Sequence, residues 1–505
     1  MLRRNLIANY LGQLWNALMS LAFIPVYIRY IGIEAYGLIG LFAIVTSWLS
    51  LLDMGMTPTL SREMARFYWG EHSPESIRDL LRSIEVIAFT IAGLVVVAFF
   101  SGSHWLATSW LQAEELPTTV VAQAFSIMGL ITAVRFVEGL YRSSLVGLQR
   151  QVLFNLINSV SATFRGLGAI AILAWVSPTI EAFFVWQGLI AVANLLVLSV
   201  AVYRLIPKIG RSAQFSLPVL REIWQYAGGM MGITLLALLL TQVDKILLSK
   251  LLTLQDYAYY TLAATVPGAL TMLVSPITQA WFPRLTQLYA SGDAPGLART
   301  YHEGAQLVTI LMGSACLVLA FFPNLFLTLW TRDPTLAQNT SFLLRLLVLG
   351  NLLNGLMWIP YQTQLAHGWT SLTVRINIVS VCLIVQAILW ATPRYGAIGA
   401  ASCWIGLNLG YVLVGIHFMY RRILTKEKSK WYREDVFGPL GLSAIFLFFL
   451  KSFLPSAETW YGQLATLSLA SLGAFLVSLM GAVRIRNKLY ASAKSFMTQF
   501  NFHLM

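Results

Sequence analysis

The chain has 505 residues, of which 57% are hydrophobic and only 11% charged, with a mean hydropathy of +0.70 and a formal net charge of +13. A soluble domain carries roughly 25% charged residues, so the composition excludes a soluble enzyme and leaves no room for a large soluble domain. Cys316, Cys382 and Cys403 all fall in apolar sequence; they are too scattered for a disulfide framework or a metal centre and read as packing residues.

A hydrocarbon core about 30 Å thick is crossed by about 20 apolar residues in helix. About fourteen such segments follow in order, near 7–31, 36–60, 83–110, 118–146, 152–176, 180–205, 222–250, 256–282, 300–330, 338–365, 372–392, 396–420, 436–453 and 460–483. MLRRN leads into a long span without a small-residue cleavage site, so the first span reads as a retained helix rather than a signal peptide. Asn5, Asn9, Gln13 and Asn16 form a neutral polar stripe along it, which either lines a cavity or hydrogen-bonds neighbouring helices. The second span holds Asp53 near Pro58, either a proton or ion site for coupling or gating, or the cap of a kink. Glu85, near the start of the third span, reads as interfacial.

The fourth span carries Arg135, Glu138 and Arg142, whose spacings of three and four place them on one helix face. Arg135 lies roughly 10 Å deeper than Arg142 at 1.5 Å per residue. Arg165 falls near the middle of the fifth span. Asp244 and Lys245 lie in the seventh, Arg345 in the tenth and Arg375 at the start of the eleventh. Each charge is expensive inside a bilayer and usually faces a bundle interior or a water-filled cavity. Together they predict a cationic cavity, and guanidinium groups suit phosphate because they offer planar paired donors that stay protonated. The bland alternative is internal pairing of Glu138 with Arg135 or Arg142 and of Asp244 with Lys245, with Arg142 and Arg375 snorkelling inward. His302, Glu303 and His417 invite a proton-coupling reading, but single histidines near helix ends read as interfacial. Pro25, Pro58, Pro267, Pro276 and Pro360 predict kinks, and Gly396, Gly399, Gly406 and Gly410 predict close helix contact.

Between the spans, with the N-terminus inside, only Arg29, Lys250, Arg332, Arg394 and Lys451 fall on the outer side; the other loop and terminal basic residues fall inside. This positive-inside asymmetry predicts an even helix count and cytoplasmic termini. It accounts for the basic balance without nucleic acid. Arg29, Tyr36, Tyr68, Tyr141 and Leu145 recur about 220 residues later as Lys250, Tyr257, Tyr289, Tyr361 and Leu365, the mark of a duplicated helix bundle. The expected fold is therefore an all-α integral membrane protein with about fourteen transmembrane helices, two six-helix lobes in pseudo-two-fold repeat and a C-terminal helix pair. The expected boundaries are an N-terminal lobe over 1–205, a cytoplasmic linker over 206–221, a C-terminal lobe over 222–421, a basic cytoplasmic loop over 422–435, and two further helices with a basic tail over 436–505. No HExxH, Walker loop or GxSxG is present, and no external loop is large enough for a membrane polymerase or ligase. The expectation is a transporter, not an enzyme.

The stretch PVYIRYIGIEAYGLIGLFAIVTSWLSLLDMGMTPTLSREMAR resembles the opening of Wzx-type polysaccharide flippases. A Gly-x-x-x-Tyr-Gly turn runs from Gly32 to Gly37, a Leu-Asp-x-Gly-like segment from Leu52 to Gly55, and an Arg-Glu pair follows at Arg62 and Glu63; LVGLQRQVLFNLINSV is also similar. The resemblance implies the multidrug/oligosaccharidyl-lipid/polysaccharide exporter superfamily. It implies a bacterial inner-membrane flippase for undecaprenyl-pyrophosphate-linked oligosaccharide, such as an O-antigen or exopolysaccharide repeat unit, working by alternating access. Arg135, Arg142, Arg165 and Lys245 would be the residues of its cationic lumen. Expected partners are the lipid-linked glycan, the bilayer, and polysaccharide polymerase and chain-length machinery, with the chain itself a monomer. No cofactor is expected, and proton or sodium coupling stays open. The alternatives are a lipid II flippase, whose arginine-rich early motif is not found, and a cation-coupled multidrug exporter, whose first-helix acidic residue is missing.

Overall fold

The computed structural model describes residues 2–505 apart from 54, 209, 212, 216–234, 236–237, 240–241, 455–458 and 492–505, and without the side chains of 2–8, 49, 50, 273, 279 and 370. Most of the expected seventh span, part of the 206–221 linker, the end of the basic tail and the Asn5 side chain lie outside what is described. The described residues are helical almost throughout. Among the described residues, eleven helices are long and apolar enough to cross a membrane, and Ile33–Trp48 is a shorter apolar one. The protein is an all-α, multi-pass membrane protein.

Contacts divide the chain into two compact units, Met1–Ala258 and Tyr259–Met505. The first begins with α1 (Leu2–Ala22) and α2 (Ile24–Ile31), separated at Phe23 just before Pro25, where the proline ring removes an amide donor. Next come α3 (Ile33–Leu52) and α4 (Met56–Tyr68). The expected 36–60 span is thus two helices, parted at Asp53–Gly55 because Gly55 takes φ +79 and the Asp53 carboxylate caps the next turn. It accepts from the Thr57 amide at 3.1 and 3.2 Å and from the Thr57 hydroxyl at 2.9 Å, which gives Asp53 the capping role. The unit continues with α5 (Pro74–Trp105), α6 (Thr118–Gly147), α7 (Gln151–Trp175) and α8 (Ile180–Leu205). α5 starts well before residue 83: Ser73 caps it at 3.2 Å, and its first turns are too charged for a hydropathy window to include.

The packing of α5, α6 and α8 around Ile84, Val137 and Leu198 forms the core of this unit. Glu85 lies inside the protein. It is 2% exposed and accepts from the hydroxyls of Tyr141 (2.8 Å) and Tyr203 (2.7 Å). Within the polar stripe of α1, Asn9 serves helix pairing: it bonds Gln151 at 2.7 Å and Asn155 at 2.6 Å on α7, while Asn16 donates to the Gly12 carbonyl of its own helix at 2.7 Å; beside them Trp15 bonds Thr163 of α7 at 2.9 Å.

The glycine-rich turn explains itself at atomic level. Gly32 takes φ +82, a conformation side chains disfavour. A Cβ on Gly37 would come within 2.9 Å of the Leu254 carbonyl. Between them, Glu34 is 2% exposed, and its carboxylate accepts from the backbone amides of Glu114, Glu115 and Leu116 at 2.6, 2.8 and 2.9 Å. This anchors the loop between α5 and α6 to the start of α3. Glu34→Ala leaves three amides without their acceptor and should cost about 1–3 kcal/mol, read as a lower unfolding midpoint in detergent; an unchanged midpoint would show that the loop is held by something else.

At the other end, Glu63 accepts from Arg62 (2.8 Å), Arg66 (3.0 Å) and His72 (2.7 Å). Burial pushes its carboxyl up, but the hydrogen bonds from His72 and Arg62 and the charges of Arg62 and Arg66 outweigh this and hold it below the usual range.

The second unit is built on Ala294–Val308, Ser314–Phe321, Pro334–Leu356, Thr370–Gly410, Gly438–Phe453 and Trp460–Gly481. The expected 300–330 span breaks at Phe322, ahead of Pro323, and the 338–365 span breaks at Met357, ahead of Pro360. Thr370–Gly410 turns at Gly396 (φ +58, ψ −146), which separates the expected spans 372–392 and 396–420. Of the recurring tyrosines, Tyr36 (3% exposed) and Tyr257 (0%) are both interior. Tyr141 is buried, whereas Tyr361 is 41% exposed.

Candidate functional site

Polar side chains meet inside the first unit on five helices. Arg135 and Glu138 project from α6, Arg165 from α7, Tyr27 from α2, Asn194 from α8 and Phe42 from α3. The Arg135 guanidinium lies over the Phe42 ring, 4.8 Å from its centroid, a favourable stacking for a delocalised cation. Phe42 in turn meets Phe184 edge-on at 5.6 Å. Glu138 accepts from the Asn194 amide at 2.8 Å and interacts electrostatically with Arg135, Arg142 and Arg165. Arg165 interacts with Glu138 and Tyr27. Tyr27 is fixed by a 3.3 Å hydrogen bond to the Gly166 carbonyl and an edge contact with Phe183 at 5.0 Å.

Two interior guanidinium groups thus lie within electrostatic reach of one carboxylate. Among the described residues neither Arg135 nor Arg165 donates a hydrogen bond to a protein acceptor or makes an ion pair within 4.0 Å; Glu138 is held by Asn194 instead. Each arginine offers five donors, and aromatic walls limit water around them. Such an arrangement suits a multiply charged anion with several acceptor oxygens.

The other expected site residues do not join this cluster. Arg142, on the same face as Glu138, is exposed and interacts with Glu138 and Asp53. Asp244 and Lys245 form an ion pair of 3.8 Å with each other. In the second unit, Arg345 donates to the Ala320 carbonyl at 3.0 Å, closing the end of the Ser314–Phe321 helix. Arg375 is exposed on a separate apolar groove. Sequence reading did not single out Tyr27, Phe42 and Asn194. Asn194 carried a legible signal, one of two neutral amides with Gln187 in an apolar span, whereas Tyr27 and Phe42 look like any other aromatic there.

The second unit contains a buried polar group that sequence did not foresee. His302 is 0% exposed. Its Nδ1 faces the Asp435 carboxylate and its Nε2 lies 3.1 Å from Glu427. Gln306 donates to Asp435 at 2.9 Å and accepts from the amides of Arg484 and Ile485 at 3.0 and 3.2 Å. Tyr420 donates to the Tyr301 hydroxyl at 2.7 Å beside it. In this setting the cluster ties the Ala294–Val308 helix to the 427–435 segment and to the helical residues that follow Trp460–Gly481. Among the described residues no group of three His, Cys, Asp or Glu side chains is arranged to hold a metal ion.

A family model described as "Polysaccharide biosynthesis protein" matches residues 2–289, more than half of the chain and the whole of the Tyr27–Asn194 cluster. The chain belongs to this polysaccharide biosynthesis family. Within reach of the family by sequence are the "Putative O-antigen transporter" of Shigella flexneri, 21% identical over 402 residues (79% of this chain and 93% of the relative), and the "Uncharacterized membrane protein EpsK" of Bacillus subtilis (strain 168), 22% identical over 483 residues (92% of each). In fold the chain is similar to lipid II flippase MurJ in its inward closed conformation, with TM-score 0.67 and 12% identity over 95% of this chain and 99% of that one. It is also similar to an inward-facing multidrug resistance transporter of the MATE family and MOP superfamily, with TM-score 0.59 and 14% identity over 82% of this chain and 96% of that one. The fold is therefore a transporter fold, in agreement with the resemblance read from residues 25–66.

Proposed function

We propose that this protein is a flippase that moves undecaprenyl-pyrophosphate-linked oligosaccharide from the cytoplasmic to the periplasmic leaflet of the bacterial inner membrane by alternating access. The observation that carries the proposal is the pair Arg135 and Arg165, two interior cations without a protein acceptor among the described residues, both within electrostatic reach of the Glu138 carboxylate. A pyrophosphate supplies the oxygens that these donors lack. Family membership and the O-antigen transporter relative point to a lipid-linked sugar rather than to a cationic drug, which the same charges would repel. In this reading fourteen helices form two six-helix lobes and a final pair, both termini are cytoplasmic, and the 206–221 and 422–435 segments are cytoplasmic linkers. Lys245 and Arg142 then lie along the path, and Asp53 keeps its capping role.

The test is a deletion strain without a redundant flippase. Lipid-linked oligosaccharide should accumulate with its sugars facing the cytoplasm, protected from a membrane-impermeant reagent until the bilayer is opened. Normal surface polymer from that strain would overturn the proposal.

A further inference from the structure

The two arms of the Thr370–Gly410 stretch and the residues up to 422 enclose an apolar groove of about 860 Å³. Gly406 and Gly410 line it, and a Cβ added at either would meet nothing within 4 Å. These glycines widen the groove; they do not bring two helices into the close contact that sequence suggested. In its wall, Val379 and Leu383 are 57% and 62% exposed, an apolar surface that wants an apolar occupant.

The chemistry of one end is opposite. The start of the first arm and the end of the second meet there, so Arg375, Arg421 and Arg422 line the same mouth. Arg422 lies over the Trp369 ring at 4.8 Å and Arg421 over Phe418 at 5.7 Å, which orients both guanidinium groups. The carboxylate of the following loop, Glu427, is already engaged by His302 at 3.1 Å and Lys430 at 3.0 Å. Among the described residues none of the three arginines is ion-paired. An apolar trough with uncompensated positive charge at one end has the outline of a lipid molecule. From Arg375 to Ala387 the trough runs roughly 18 Å at 1.5 Å per residue, close to one leaflet of a core about 30 Å thick.

We propose that this groove binds an anionic phospholipid. Arg375, Arg421 and Arg422 hold its phosphate, and one acyl chain lies along Val379, Leu383 and Gly406. Basic pockets between membrane helices on the cytoplasmic side take anionic headgroups in this way. The inference is independent of what the protein transports, and it reassigns Arg375 from the substrate path to a site for a resident lipid.

The experiment titrates the purified full-length protein in detergent with phosphatidylglycerol or with phosphatidylethanolamine of matched chains, and counts bound lipid by native mass spectrometry. Phosphatidylglycerol should bind preferentially. A triple Arg375→Gln, Arg421→Gln, Arg422→Gln variant should lose about tenfold in that affinity and leave phosphatidylethanolamine unchanged. Gly406→Leu with Gly410→Leu, which fills the trough and keeps every charge, should lower phosphatidylglycerol occupancy as well, and serves alone if the triple variant does not fold. Wild-type occupancy in either variant overturns the proposal. So does displacement of the lipid by inorganic phosphate, which would make the arginines a headgroup site without a tail groove.

Discussion

Arg165→Ala is expected to reduce export of lipid-linked oligosaccharide by about tenfold or more while leaving the amount of protein in the membrane unchanged. The side chain makes no hydrogen bond within the described protein, so its removal orphans no acceptor. What is lost is a charge-assisted contact to phosphate, about 1.5–3 kcal/mol for such a bond, or one to two powers of ten. Arg165→Lys should recover part of the activity, because an ammonium keeps the charge and loses the paired donors. The measurement is surface polymer in a strain that depends on the introduced copy, with protein level read by immunoblot. Unchanged export in Arg165→Ala takes this residue out of the substrate path. A fall in protein level with normal activity per molecule would instead make Arg165 a structural counter-ion of Glu138.

The second large effect is on stability. His302 and Asp435 are both 0% exposed, and each is the main partner of the other. Among the described residues, His302→Leu leaves Asp435 with Gln306 as its one hydrogen-bond donor, and removal of one member of a buried pair costs about 3–5 kcal/mol. Asp435→Leu should cost a similar amount, since His302 then keeps only Glu427. The double replacement should cost less than the sum of the two, because no charge is left buried alone. Equilibrium unfolding of the four proteins in mixed micelles measures this. Single variants within 0.5 kcal/mol of the parent, a surface-like value, would mean the cluster contributes nothing to the fold.

These two clusters show where sequence reading works and where it stops. Helix positions were legible because hydrophobic length is a local property: 118–146 against Thr118–Gly147 and 460–483 against Trp460–Gly481 differ by two residues at most. Starts rich in charge were not, as with α5 at Pro74, since a capping serine and one amphipathic turn carry little hydropathy. Arg135, Glu138 and Arg165 could be singled out because a charge in an apolar span is costly wherever it points. Their partners could not: Asn194 lies 56 residues from Glu138, and nothing in the spacing joins them. His302 failed for the same reason. Its carboxylates are 125 and 133 residues away, so the spacing gives no hint that this histidine is a paired interior group. The polar spacing along α1 leaves cavity lining and helix pairing equally open, and the bonds of Asn9 to α7 choose pairing for that residue.

The Glu34 anchor has a practical consequence for watching this protein move. Three backbone amides bind residues 114–116 to α3, yet the side chains of Glu114 and Glu115 are exposed. A spectroscopic label on Glu115 therefore sits on a stiff handle: it should track displacement of the α3 end itself, with little of the wandering that surface loops usually add to a distance distribution. Glu34→Ala would loosen the handle and broaden that distribution, which separates genuine helix travel from slack in the tether.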